Sequence, residues 1–246
     1  MISRSSAWTG LLLRRGARRV GIEHRLKGVF YGVQGAKVRR NRRDDQNLRV
    51  LIAASVPPDG TAIDVGANTG TVLEEIVAVA PQGHHVAYEP LPVLVDVLKE
   101  RFPTVEVRQA ALSDRNGVAT YHLRSGDEGS SGLMPDDGAQ PIGVRVERLD
   151  DTLGDLKPDL IKIDVEGAEL QALEGMRETI SRHRPVVAFE HGRRAVDCGV
   201  THGMVFDSLT ACGLRVFDMD GQGPFDRVEF GRVADPPGRR WNFFAR

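Results

Sequence analysis

Cysteine is almost missing from this chain: Cys198 and Cys212 are the only two in 246 residues, so neither a disulfide framework nor a cysteine-built metal centre is expected. A reducing cytoplasm is the compartment that this scarcity suggests. Long apolar runs are missing as well, and none approaches the about 20 residues of a membrane-spanning helix. The run Leu11–Leu13 is short and closely followed by arginines, unlike a secretory signal. There is no internal repeat, and charge of neither sign dominates, the formal net charge being −1.

That balance hides an asymmetry. Residues 1–43 carry twelve Lys/Arg against one acid, Glu23, a local charge of about +11 that leaves about −12 for the rest. Ile22, Leu26, Val29, Phe30 and Val33 follow helical spacing there, with Arg25 and Lys27 between them. Three readings compete for this arm: a helix packed on the domain or capping its cleft, a peripheral contact with anionic lipid, and an RNA-binding arm. The last lacks interleaved aromatics and any RNA-binding module signature, so no nucleic-acid partner is expected. Residues 1–46 are thus read as a basic amphipathic arm. Residues 47–246 are read as one α/β domain, cytoplasmic or held peripherally at the inner face of the membrane.

From Asn47 the chain alternates strand and helix. Strands are predicted near 61–66, 84–89, 105–110, 159–164, 185–190, 214–219 and 241–246, and helices near 47–55, 70–80, 91–101, 167–182 and 202–212. Between the third and fourth strands lies an insertion with strand-like Val118–Arg124 and Val144–Arg148. Its Gly/Ser/Asp-rich joint, 125–138, is expected to be a mobile loop at the cleft. A Gly/Pro/Asp-rich segment, 221–238, separates the last two strands.

The most informative stretch is Thr61-Ala-Ile-Asp-Val-Gly-Ala-Asn-Thr-Gly70, an apolar strand turning sharply into a helix whose face is Val72, Leu73, Ile76 and Val77. Gly66 and Gly70 let the backbone approach a ligand, and Asn68 tolerates a left-handed conformation. A second run, Val86-Ala-Tyr-Glu-Pro90, places Glu89 and Pro90 at a strand end. In doubly wound folds, a glycine turn after one strand and a carboxylate after the next hold the two ends of a nucleoside. An adenosine-containing cofactor is therefore expected. A dinucleotide would want a third glycine, in G-x-G-x-x-G, so that helix amides meet a pyrophosphate. Here Asp64 stands at the mouth, where it repels phosphate and attracts an ammonium or sulfonium. S-adenosyl-L-methionine carries both cations and no phosphate.

Four pieces in order, Asp64–Gly70, Tyr88–Pro90, Ala111–Gly117 and Ile161-Lys-Ile-Asp-Val-Glu-Gly-Ala-Glu169, resemble the FkbM family of S-adenosylmethionine-dependent methyltransferases across roughly residues 47–190. The run from Lys162 to Gly167 is the most specific of them. The resemblance implies a Rossmann-like class I methyltransferase fold: a seven-stranded, mostly parallel sheet with helices on both faces and an antiparallel last strand. It also implies O-methylation of a hydroxyl on a sugar, glycolipid or other natural product.

Each candidate residue has a plainer reading beside its functional one. Asp64 holds the cofactor's methionine end, or caps the following turn. Glu89 accepts both ribose hydroxyls, or is an exposed acid before Pro90. Leu112 covers the adenine while Ser113 or Asp114 meets its exocyclic amine, or the segment is a simple turn. Lys162, Asp164 and Glu166 are expected on one strand face, at the sheet edge where α/β folds bind ligands. Asp164 and Glu166 then serve the reaction, or Glu166 caps a helix and Lys162 pairs with an acid. Glu190 and His191 are expected at the same edge. His191 titrates near neutrality and is assigned as general base for the acceptor hydroxyl, with Asp164 as the other candidate. Asp164, Glu190 and His191 could instead ligate a divalent cation, although the adopted reading needs no metal.

The expected chemistry is a single in-line displacement from the sulfonium to oxygen. Two other classes stay open: a noncatalytic cofactor-binding module, and an NAD-dependent oxidoreductase, disfavoured by the missing third glycine. A nucleic-acid methyltransferase is disfavoured on other grounds, since the fourth strand ends in Asp164-Val-Glu-Gly167 rather than in the Asn/Asp-Pro-Pro-aromatic loop of base-amino methylation.

Overall fold

The computed structural model describes residues 36–124, 131–235 and 240–246. The amphipathic stretch between Ile22 and Val33 lies outside them. Contacts group residues 1–46 and 47–246 as separate units. In chain order the strands are β1 (Thr61–Val65), β2 (Val86–Tyr88), β3 (Glu106–Arg108), β4 (Ala111–Leu112), β5 (Gly117–Leu123), β6 (Gln140–Glu147), β7 (Pro158–Ile163), β8 (Val186–Glu190), β9 (Val216–Asp218) and β10 (Asn242–Ala245). The helices are α1 (Ala36–Ser55), α2 (Thr71–Val79), α3 (Pro92–Arg101), α4 (Leu149–Thr152), α5 (Glu169–Glu174), α6 (Arg177–His183), α7 (Arg193–Asp197), α8 (His202–Ala211) and α9 (Arg227–Ala234).

Seven strands form the main sheet in the order β3-β2-β1-β7-β8-β10-β9. All are parallel except β10, which runs antiparallel between β8 and β9. The seven predicted strands and the antiparallel last one are thus present. Strand order reverses at β1 and β7, and the crevice beyond their carboxyl ends is where such a sheet binds ligands. Alternation along β1 explains why both faces are covered. Ala62 packs with Ile52, Ile76 and Ala80 on one side. Ile63 and Val65 face the other side, in a larger core with Ile161, Leu173, Phe189, Phe230 and Phe243.

The turn after β1 accepts only glycine at two points. Gly66 has φ 81°, and a Cβ there would run into the carbonyl oxygen of Asp164. Gly70 has φ 80°, and a Cβ there would strike the Phe102 ring.

Three expectations about elements need correction. The third strand ends at Arg108, and Ala111–Leu112 leaves the main sheet to pair with β6 in a second sheet of order β4-β6-β5. The helix predicted over 167–182 is two helices. Gly175 presses against the backbone of Ser113, and Asp150 starts the second helix by accepting from Glu178 N–H (3.1 Å) and Thr179 N–H (2.8 Å). The 221–238 segment contains α9, opened by a reciprocal Asp226/Glu229 capping box.

Candidate active site

A cleft opens beyond β1, β2 and β7, lined on its floor by Gly66, Asn68, Glu89, Pro90 and Leu112. Glu89 is 4% exposed and ties two segments together. Its Oε2 accepts the N–H of Asn68 (2.9 Å) and its Oε1 the N–H of Leu91 (3.0 Å). Each oxygen keeps a second lone-pair direction for a ligand. Burial pushes this carboxyl above its ordinary pKa, against those two donors. Asn68 takes φ 49°, the left-handed conformation expected of it.

Asp64 lies beneath the turn rather than among the residues that line the cleft. It is 2% exposed, and its Oδ2 is buried with no hydrogen-bond partner in the protein. Burial raises its pKa to about 7, with Lys162 opposing the shift and Asp164 and Glu89 adding to it. Lys162 sits opposite Asp64 in register and holds Asp164 Oδ2 at 3.3 Å. A buried carboxylate with an idle oxygen beside a cleft is costly without a cationic partner.

Leu112 lines the cleft, as does Ala111, but Ser113 and Asp114 do not. Ser113 N–H donates to Glu147 O (2.9 Å), its hydroxyl to Asp114 (3.1 Å), and Asp114 pairs with Arg115. Neither of the side chains expected at the adenine is thus among the residues that line the cleft. Once β4 departs for the second sheet, their side chains bind each other instead.

At the reaction end, Asp164 and Glu166 line the cleft. Asp164, its side chain 42% exposed, shares a face with Lys162 as period two requires. Glu166 does not share it. β7 stops at Ile163, and Glu166 and Gly167 take φ 52° and 101°, so Glu166 turns toward Arg194, 4.0 Å away. Neither does Glu166 cap α5; Glu169 takes the turn, its Oε1 accepting Gly167 N–H (2.8 Å). Glu190 ends β8 beside them. Burial raises its carboxyl to a pKa of about 8, with Asp164 adding and Lys162 subtracting.

His191 is the principal correction. Its side chain is 0% exposed, with Nδ1 4.0 Å from Glu169 Oε2 and both ring nitrogens lacking a hydrogen-bond partner. The ring lies edge-on to His202 (4.9 Å between centroids) and stacks toward Phe230 (6.4 Å). Consecutive strand residues point to opposite faces, so Glu190 facing the reaction end sends His191 inward. That placement removes its contact with an acceptor. It also separates His191 from the Asp164–Glu190 metal alternative; among the described residues no three or more His, Cys, Asp or Glu side chains are grouped to hold an ion.

The 125–138 segment expected at the cleft does supply part of its roof, but sequence reasoning missed Tyr121. Tyr121, Ser131 and Leu133 come from the insertion, and Tyr88 lines the inner wall. Tyr121 hydroxyl donates to Ser131 O at 3.0 Å. An aromatic in the strand leading into the loop expected at the cleft was the available signal.

Among the described residues, none lining this cleft is lysine or arginine. Two buried acids at the glycine turn and no base suit a cationic, phosphate-free ligand, so the residues fit S-adenosylmethionine.

Comparison with known proteins agrees. A family model described as the methyltransferase FkbM domain matches residues 64–216. The 2-O-methyltransferase NoeI of Sinorhizobium fredii is 27% identical over 192 residues, covering 67% of this chain and 75% of the relative. The hexuronic acid methyltransferase AglP of Haloferax volcanii is 27% identical over 157 residues, covering 62% and 64%. Two other curated relatives are spanned over only 9% and 63% of their own lengths. The crystal structure of methyltransferase FkbM from Methylobacillus flagellatus aligns with a TM-score of 0.50 at 20% identity, over 77% of this chain and 44% of that one.

Proposed function

Because the chain belongs to the FkbM methyltransferase family, we propose that it moves the methyl group of S-adenosyl-L-methionine to a hydroxyl oxygen of a sugar, glycolipid or other natural-product acceptor. The observation that carries the cofactor is the acid pair at the glycine turn, Glu89 facing the cleft and Asp64 beneath it with its Oδ2 unpartnered in the protein. Glu89 would receive the ribose hydroxyls, and the negative charge around Asp64 would favour the carrier's cations. When bound, the cofactor supplies an already activated methyl group, so alignment and proton removal are what the protein adds.

Proton removal falls to Glu190, helped by Asp164. A base with a pKa near ambient pH is well matched to accepting the proton of the acceptor hydroxyl. The O-methylating relative supports oxygen as the acceptor atom, and the hexuronic acid relative supports a sugar. Calorimetry with S-adenosylmethionine, S-adenosylhomocysteine and NADH tests the cofactor: heat for NADH alone would overturn it. Transfer of labelled methyl into glycolipid and polysaccharide extracts, with and without EDTA, tests the acceptor class.

The basic arm suits an amphiphilic acceptor held at an anionic surface. No helix among the described residues is long and apolar enough to cross a membrane. Co-sedimentation with anionic liposomes should fall when residues 1–43 are deleted, and equal partitioning would refute the contact.

A further inference from the structure

We infer that Glu169 is a positioning residue for methyl transfer: its buried carboxylate, which does not line the cleft, holds the turn that presents Asp164 and Glu166 to it. The inference rests on the reaction proposed above. Where β7 stops at Ile163, the chain lines the cleft with Asp164, Val165 and Glu166 before α5 begins at Glu169. Glu166 stands at φ 52° and Gly167 at φ 101°. A residue with a side chain keeps the left-handed conformation only where its surroundings fix it.

The fixing contact is one hydrogen bond. Glu169, 1% exposed, accepts the Gly167 N–H with Oε1 at 2.8 Å. Among the described residues no backbone carbonyl takes that N–H. The carboxylate's other oxygen accepts no hydrogen bond from the protein, His191 Nδ1 lying 4.0 Å off. The N–H belongs to the planar peptide unit joining Glu166 to Gly167, so the bond sets ψ of the first and φ of the second. On its other side the turn is pinned by Asp164 N–H, which donates to Val65 O at 3.0 Å. The roof rests on the same turn: a Cβ on Gly132 would come 3.1 Å from the Glu166 carbonyl oxygen, and one on Gly167 3.2 Å from Met134 Cγ. Rotation of that peptide would therefore disturb the acids and their cover together, while the Glu89–Asn68 contact after β1 is left in place.

Three variants of the full chain separate positioning from packing and from charge. Glu169→Met keeps the length of the side chain and removes both oxygens. Transfer of labelled methyl into glycolipid and polysaccharide extracts should fall about 10- to 100-fold. The Kd for S-adenosylmethionine should stay within about twofold, and the Gly167 amide proton, followed by NMR, should exchange about tenfold faster or more. Glu169→Gln still offers an oxygen to Gly167 and should bring rate and exchange back to within about threefold of wild type. Glu169→Asp keeps the charge but is one methylene short, so it should behave as Glu169→Met does and stands in for it if that variant does not fold. A wild-type rate in the Met or Asp variant would overturn the inference. So would a Gln variant as slow as the Met one, since charge rather than the accepted bond would then matter. A Kd that rises in step with the lost rate would also overturn it, as collapse of the whole cleft. Exchange at Gly167 needs neither cofactor nor acceptor: a wild-type chain that transfers no methyl fails the proposed function, whereas unchanged exchange in the Met and Asp variants fails this inference.

Discussion

Asp64 gives the most direct test of the site's electrostatics, because its cost is measurable without any acceptor. Its folded pKa is about 7 against a reference of 3.8, so the folded protein binds the proton more tightly than the unfolded chain. Stability therefore falls as pH rises from about 4, and the loss levels off once pH passes the folded value. A shift of this size, at about 1.4 kcal/mol per unit, corresponds to roughly 4 kcal/mol at full ionisation, an upper limit because an ionised interior relaxes. Asp64→Asn keeps an acceptor for the Leu73 N–H and removes the charge. The variant should match wild type near pH 4 and exceed it by about 2–4 kcal/mol at pH 8. In a chain of this size that is on the order of 4–16 °C in Tm. Thermal unfolding from pH 4 to 8, with the two proteins compared at each pH, isolates this residue from Glu89 and Glu190, which titrate in both. The same variant should lose affinity for S-adenosylmethionine. Equal stability at pH 8, or a gap as large at pH 4 as at pH 8, would refute the assignment of a penalised buried charge.

Two other substitutions divide the roles at the end of β8. Glu190→Gln should lower kcat by about two to four orders of magnitude while leaving the cofactor Kd within twofold. The wild-type rate should rise with pH through a limb near 8, because Glu190 acts as a base only when ionised; a flat profile would count against it. His191→Ala should cost about 2 kcal/mol of stability from the lost packing against Phe230, with kcat of the folded protein kept within about threefold. Collapse of turnover with intact cofactor binding would return the general-base role to His191.

Most of the main sheet was legible because its strands are buried on both faces and read as short apolar runs bounded by Gly, Pro and Asp. Residues 158–163 and 186–190 are examples. Where the reading failed, nonlocal contacts decided. Nothing local in residues 105–112 says that the chain changes sheets between Arg108 and Ala111; the pairing partner is β6, more than thirty residues away. The break at Gly175 depends on the close approach of Ser113. Helix α9 differs, since the Asp226…Glu229 box was a local signal inside a segment dismissed on its glycines and prolines.

The site divides along the same line. Glu89, Gly66 and Asn68 were readable because a glycine turn and a strand-end acid act through backbone position, which spacing determines. His191 was misplaced by counting distance along the chain instead of direction: on extended backbone a residue faces away from its neighbour, and Glu190 is the one turned toward Asp164 and Lys162. Applied to Lys162, Asp164 and Glu166, the same period-two rule holds only while the strand lasts: it stops at Ile163, and the positive φ angles at 166 and 167 re-aim Glu166. The insertion contributed Tyr121 from a segment with no glycine or acid motif to announce it. A cleft whose floor is set by a parallel sheet and whose roof comes from an insertion can keep its cofactor chemistry while the roof changes. Selectivity for the acceptor should therefore follow the residues that short motifs leave out.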